Sequence, residues 1–121
     1  ITMSKEGDII EVTSVDHFKS IVNDTNYQYV FIDFYAVWCG PCRRIAPKLA
    51  EYSKKYKTVR FLKVDVDKLG ELATAYGISA MPTFKVVQPF DPMKGGSLKA
   101  LYEVVGADSV EIEKLLNKLT S

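Results

Sequence analysis

The sequence predicts an α/β protein built on a central mixed β-sheet of about five strands flanked by about four helices. Three observations lead there. Strand-like apolar runs alternate with segments of helical periodicity from one end of the chain to the other. One of those runs, Tyr29 to Tyr35, is nearly continuous, as expected of a central strand buried on both faces, and Val59 to Val66 reads as another central strand. The last two runs are separated by a stretch rich in proline and glycine, which suits an antiparallel hairpin.

Ile9-Ile10-Glu11-Val12 reads as a short first strand. Ser14 is placed to cap a helix from Val15 to about Asn23, with Phe18, Ile21 and Val22 on its apolar face. Tyr29 to Tyr35 is the first central strand. A second helix starts near Cys39 and reaches about Tyr56. Pro41 suits its first turn, where a missing N–H loses no partner. Pro47 falls in its interior, where a kink is expected, and Ile45, Leu49 and Tyr52 mark the inward face. Val59 to Val66 is the other central strand, and Leu69 to Tyr76 a short helix closed by Gly77. Thr83 to Val87 and about Leu98 to Val105 form the hairpin, across a surface loop from Gln88 to Ser97. Ser109 is expected to cap the last helix, with Ile112, Leu115, Leu116 and Leu119 at helical spacing. With no repeat or linker, residues 1–121 read as one domain with one core, spanning about Ile9 to Leu119.

Composition narrows the function classes. The chain is 47% hydrophobic and 26% charged, ordinary for a folded soluble domain. Its 16 basic and 15 acidic residues leave a net charge of +1, without the basic excess that a nucleic acid or an anionic membrane favours. The apolar runs are far shorter than the roughly 20 residues that span a bilayer. The opening segment Ile1 to Asp8 lacks a signal-peptide core. The expectation is a cytoplasmic monomer that uses neither nucleic acid nor membrane.

The chain has two cysteines, Cys39 and Cys42, and one histidine, His17. A bond between cysteines this close closes almost no loop and adds little stability, so the pair is better suited to reaction than to structure. A zinc site is disfavoured, because zinc as a rule takes four ligands and His17 is the only further nitrogen candidate, on a distant helix. Cys39 falls at a helix start, where unpaired N–H groups and the helix dipole favour a thiolate. It is expected to be exposed and nucleophilic. Cys42 lies about one turn further on, within reach of the Cys39 sulfur, and is expected to be the more buried, resolving cysteine. Gly40 permits close approach and Pro41 stiffens the turn. Asp33 is a carboxylate inside an apolar run, costly unless partnered or neutral, and strand alternation directs it away from the Phe34 side. Lys63 is either a neighbour that holds Asp33 more acidic or a lysine facing solvent.

Phe34-Tyr35-Ala36, Trp38-Cys39-Gly40-Pro41-Cys42, Ala80-Met81-Pro82-Thr83-Phe84 and Val105-Gly106-Ala107, in that order, resemble the motifs of the thioredoxin family. The resemblance covers about Ile9 to Leu119. Cys-x-x-Cys alone is a weak signal; the joint pattern is a specific one. Three features depart from it: Tyr35 stands where many members have Trp, Arg43 where Lys is common, and the Gln88 to Ser97 loop replaces a tighter turn.

The resemblance implies a thioredoxin fold and a protein-disulfide reductase serving cell redox homeostasis, with a redox disulfide between Cys39 and Cys42. It implies no bound cofactor: electrons come from NADPH through a flavoprotein thioredoxin reductase and go to disulfide-containing client proteins. It further implies that Asp33 lies buried behind the second cysteine and relays its proton. The Met81-Pro82 bond is then cis and faces the dithiol, with the Met81 main chain free to pair with an extended client. Trp38, Met81, Gly106 and Ala107 rim the docking surface. Gly-Pro between the cysteines is the pattern of reducing members, Gly-His that of many oxidising and isomerising ones. An oxidase or isomerase, and a binding module gated by redox state, are the alternative readings.

Overall fold

The computed structural model describes residues 7–89 and 98–121. Among these the chain forms β1 (Ile10–Glu11), α1 (Val15–Val22), β2 (Tyr29–Tyr35), α2 (Gly40–Lys55), β3 (Val59–Asp65), α3 (Gly70–Ala75), β4 (Thr83–Val87), β5 (Tyr102–Val105) and α4 (Ser109–Thr120). The strands make one sheet in the order β1-β3-β2-β4-β5. β3 pairs in parallel with β1 and β2, while β4 runs antiparallel to both β2 and β5. The mixed sheet with helices on both faces is the architecture the sequence predicts.

Alternation along β2 sends successive side chains to opposite faces. Phe31 joins Phe61, Phe84 and Val86 against Ile45, Leu49 and Tyr52 of α2 and the apolar stripe of α4. Val30, Ile32 and Phe34 join Leu62 and Val64 against α1 and α3. Phe31, Phe34 and Phe84 have at most 1% of their surface exposed, and each such ring contributes about 2–3 kcal/mol by leaving water. Ser14 caps α1 as expected, its Oγ accepting the His17 N–H at 3.0 Å. α2 continues through Pro47, which has no N–H to bond the carbonyl one turn back. Gly77, at φ +65, takes the left-handed conformation that ends the α3 segment.

Several boundaries differ from expectation. Asp108, not Ser109, caps α4: its carboxylate accepts the Glu111 N–H at 3.1 Å, and Ser109 is the first helical residue. Two capping residues stand in succession there, and the charged one also gains from the helix dipole. β1 is shorter than Ile9 to Val12. β3 stops at Asp65, whose Oδ1 accepts the Asp67 N–H at 2.9 Å and starts a turn. β5 begins only at Tyr102, although Leu101 already donates to the Val86 carbonyl at 2.7 Å. The expected Gln88 to Ser97 loop lies, from residue 90 on, outside the described residues.

Candidate active site

The link from β2 to α2 carries both cysteines. The Cys39 N–H bonds the Ala36 carbonyl at 3.1 Å, which closes the turn after the strand. Cys39 is the N-cap of α2: its backbone is extended, and its Sγ accepts the Cys42 N–H at 3.2 Å. Thus the sulfur itself occupies the place where a helix start offers unpaired donors. Cys39 and Cys42 are joined by a disulfide, with Cα atoms 5.3 Å apart. Pro41 sits in the first turn, as expected.

Distant segments close over this turn. The Met81-Pro82 peptide bond is cis, and the Met81 carbonyl oxygen lies 3.6 Å from Cys39 Sγ. The Pro82 carbonyl accepts the Gly106 N–H at 2.8 Å, tying the end of β5 to the loop. Gly106 has φ +96, a conformation open to glycine and costly for other residues. Val105 pairs with Thr83 and Thr83 with Phe34, so the end of β5 lies on the same edge of the sheet as the dithiol. Trp38 and Val105 are more than half exposed there, and Ala107 is exposed beside Gly106.

The expected contrast in exposure between the cysteines is absent: Cys39 retains 5% and Cys42 6% of its surface. Bonded to each other, both are covered by Ala36, with Tyr35, Val66 and Met81 packed around them. What separates them is the helix cap, which belongs to Cys39 alone. Two contacts escape sequence reasoning. The Trp38 indole N–H donates to Asp67 Oδ2 at 2.9 Å, and Arg43 Nη1 donates to the Val37 carbonyl at 2.8 Å. Both partners lie outside any motif, so only the fold reveals them.

Asp33 is buried on the α2 side of the sheet, and its Oδ1 has no hydrogen-bond partner among the described residues. It lines one cavity with Cys42, Arg43, Tyr35 and Lys63. Burial pushes its carboxyl up to about 7; the Lys63 charge pulls it down and Glu11 adds to the rise. The expected acidifying effect of Lys63 therefore exists, and desolvation outweighs it.

Sulfurs one helical turn apart, closing a ring of only a few residues, are suited to exchanging electron pairs with other thiols and disulfides. The fold and the site define a dithiol–disulfide oxidoreductase. The family model described as thioredoxin matches residues 9–117, and the chain belongs to the thioredoxin family. It is 41% identical over 103 residues to a thioredoxin of Aspergillus fumigatus, covering 82% of this chain and 93% of that one. To an H-type thioredoxin of Nicotiana tabacum it is 41% identical over 120 residues, covering 96% and 93%. The crystal structure of a Nicotiana alata thioredoxin superposes with a TM-score of 0.82 at 32% identity, covering 98% of this chain and 97% of that one. The activity is the reduction of protein disulfides through the Cys39 and Cys42 pair. Among the described residues, no three His, Cys, Asp or Glu side chains gather as a metal ion requires, and no helix is long and apolar enough to cross a membrane.

Proposed function

We propose that Cys39 attacks the client, Cys42 resolves the mixed disulfide and Asp33 carries the proton. In the reduced protein the Cys39 thiolate attacks one sulfur of a client disulfide, and the other client sulfur leaves as a thiolate. Cys42 then gives its proton to the Asp33 carboxylate and attacks Cys39 Sγ. The Cys39–Cys42 disulfide forms, the second client sulfur leaves, and two electrons have passed to the client. The observation that carries this order is the Cys39 sulfur in the cap position of α2, where a negative charge meets the Cys42 N–H and the helix dipole. Asp33 supports its own part: a buried carboxyl near 7 accepts and returns a proton at neutral pH.

Trp38, Met81, Gly106 and Ala107 form the client-docking rim, with the Met81 main chain beside Pro82 offering strand-like pairing. Gly40 and Pro41 shape the turn, and Lys63 acts as a supporting charge. The protein works as a single domain and a monomer in the cytoplasm, recharged from NADPH by a flavoprotein thioredoxin reductase; its kinship with thioredoxins supports this cycle.

The test is insulin reduction coupled to NADPH and a thioredoxin reductase. Cys39→Ser is expected to abolish turnover, while Cys42→Ser accumulates a mixed disulfide on Cys39. A mixed disulfide found on Cys42 instead reverses the assignment. Asp33→Asn is expected to slow the reaction and flatten its pH profile around neutrality; an unchanged profile removes Asp33 from the mechanism.

A further inference from the structure

Lys63 is the register partner of Asp33 across β3 and β2, yet no ion pair joins them among the described residues. The ammonium is engaged elsewhere. Lys63 Nζ lies 3.9 Å from Glu11 Oε1 and 5.6 Å from the centroid of the Tyr35 ring. The Tyr35 hydroxyl donates to the same Glu11 oxygen at 2.7 Å. Glu11 is in turn the register partner of Lys63 on the other side, in β1. Tyr35 follows Asp33 by two residues on β2 and so shares its side of the sheet. Burial and the Glu11 contact raise the Tyr35 phenol above its usual range, so it stays a donor at working pH.

The groups facing Asp33 are therefore Tyr35 on its own strand, Lys63 on β3, Glu11 on β1, and Cys42 and Arg43 on α2. β4 contributes the uncharged Phe84 opposite it. Of the two cations, Arg43 is tied to the Val37 carbonyl. Lys63 is the one whose flexible stem lets it choose between two carboxylates.

We propose that Glu11 and Tyr35 are positioning residues for the proton relay: they tether the Lys63 ammonium at the rim of the sheet, leaving buried Asp33 without a direct ion pair. The inference rests on the reading of Asp33 as the relay. Tyr35 supplies the hydroxyl whose hydrogen bond fixes the Glu11 carboxylate. Releasing the tether hands the ammonium to Asp33, which then favours its charged form and holds a proton less readily.

The test is a carbon-13 NMR titration of the Asp33 carboxyl in the oxidised protein, for wild type, Glu11→Gln, Lys63→Met and the double variant. Glu11 and Lys63 both reach the surface, so folded protein is expected in each case. Glu11→Gln is expected to lower the Asp33 midpoint by on the order of one pH unit. In the Lys63→Met background the same substitution should do less than half as much, because no ammonium is left to release. Tyr35→Phe should shift the midpoint the same way by a smaller amount. An Asp33 midpoint that Glu11→Gln leaves in place, or an equal shift with and without Lys63, overturns the tether. The relay itself is read separately, from the insulin-reduction pH profile: its acid limb should move with the NMR midpoint in Glu11→Gln. Should Asp33→Asn leave that profile unchanged, the relay reading fails while the titration still decides the tether.

Discussion

The two faces of the sheet begin alike and end differently. Towards α1 and α3, β2 and β3 present Val30, Ile32, Phe34, Leu62 and Val64, all buried in one apolar layer. Towards α2 and α4 the same two strands present Phe31 and Phe61 first, then Asp33, Lys63, Tyr35 and Asp65. The polar row begins where α2 starts and where the disulfide sits. The first face is apolar beyond Arg60, whose guanidinium donates to the Tyr27 hydroxyl at its far end, whereas the other divides between cohesion at one end and the proposed proton relay at the other. The two carboxylates of the polar row differ again. Asp65 Oδ1 accepts the N–H groups of Asp67 and Lys68, at 2.9 and 3.4 Å, and holds a turn. Asp33 Oδ1 has no such partner. A buried carboxylate with an unpartnered oxygen opposes folding, and the proposed relay gives a reason for its retention at this place.

The comparison breaks most visibly if a carboxylate is moved one residue along β2. Ile32→Asp places it in the apolar layer and is expected to cost on the order of 5 kcal/mol at neutral pH, read by denaturant unfolding. A loss below about 2 kcal/mol would mean that the two faces tolerate charge equally. The opposite sign is expected for Asp33→Asn. The Asp33 carboxyl rises from its ordinary 3.8 to about 7 on folding, which amounts to about 4 kcal/mol. Because the folded state holds this proton more tightly, the Asp33 contribution to stability is most favourable below about pH 4 and is lost as pH climbs towards 7. Asp33→Asn should therefore gain up to about 4 kcal/mol above neutral pH, gain nothing in acid, and lose the slope between. A wild-type stability that stays flat across that interval contradicts the uncompensated burial. The smallest effect falls on Asp65→Ala, expected to lose about 1–3 kcal/mol at neutral pH because two backbone donors lose their acceptor. Stabilisation by this variant would show that Asp65 and Asp33 are alike after all.

Much of this was legible in the sequence because it depends on periodicity. The apolar runs of β2 and β3, the stripe of α4 and the Ser14 cap all follow from side-chain spacing. The cysteine pair was legible from its own spacing, and the buried place of Asp33 from its apolar strand together with the family resemblance. Long-range choices were not. Asp108 and Ser109 are equally good caps as text, and only the backbone decides between them. That Lys63 turns to Glu11 and Tyr35, or that Trp38 meets Asp67, depends on which strands and turns become neighbours. The net direction for Asp33 required weighing desolvation against a charge, a balance set by depth rather than by residue type. The equal covering of Cys39 and Cys42 likewise comes from Ala36 and Met81 folding over a closed disulfide.

The sheet finishes on both sides in stubs, β1 with 2 residues and β5 with 4. A protein proposed to pair with extended polypeptide beside Pro82 runs the danger of having that polypeptide, or a sister molecule, zip onto its margins. Stubs of this length present too few free amides to template further growth, and Glu103 sets a charge on the longer one. On the proposed reading, pairing with an extended client is left to the Met81 main chain beside Pro82, and short margins of this kind disfavour fibre-like accretion.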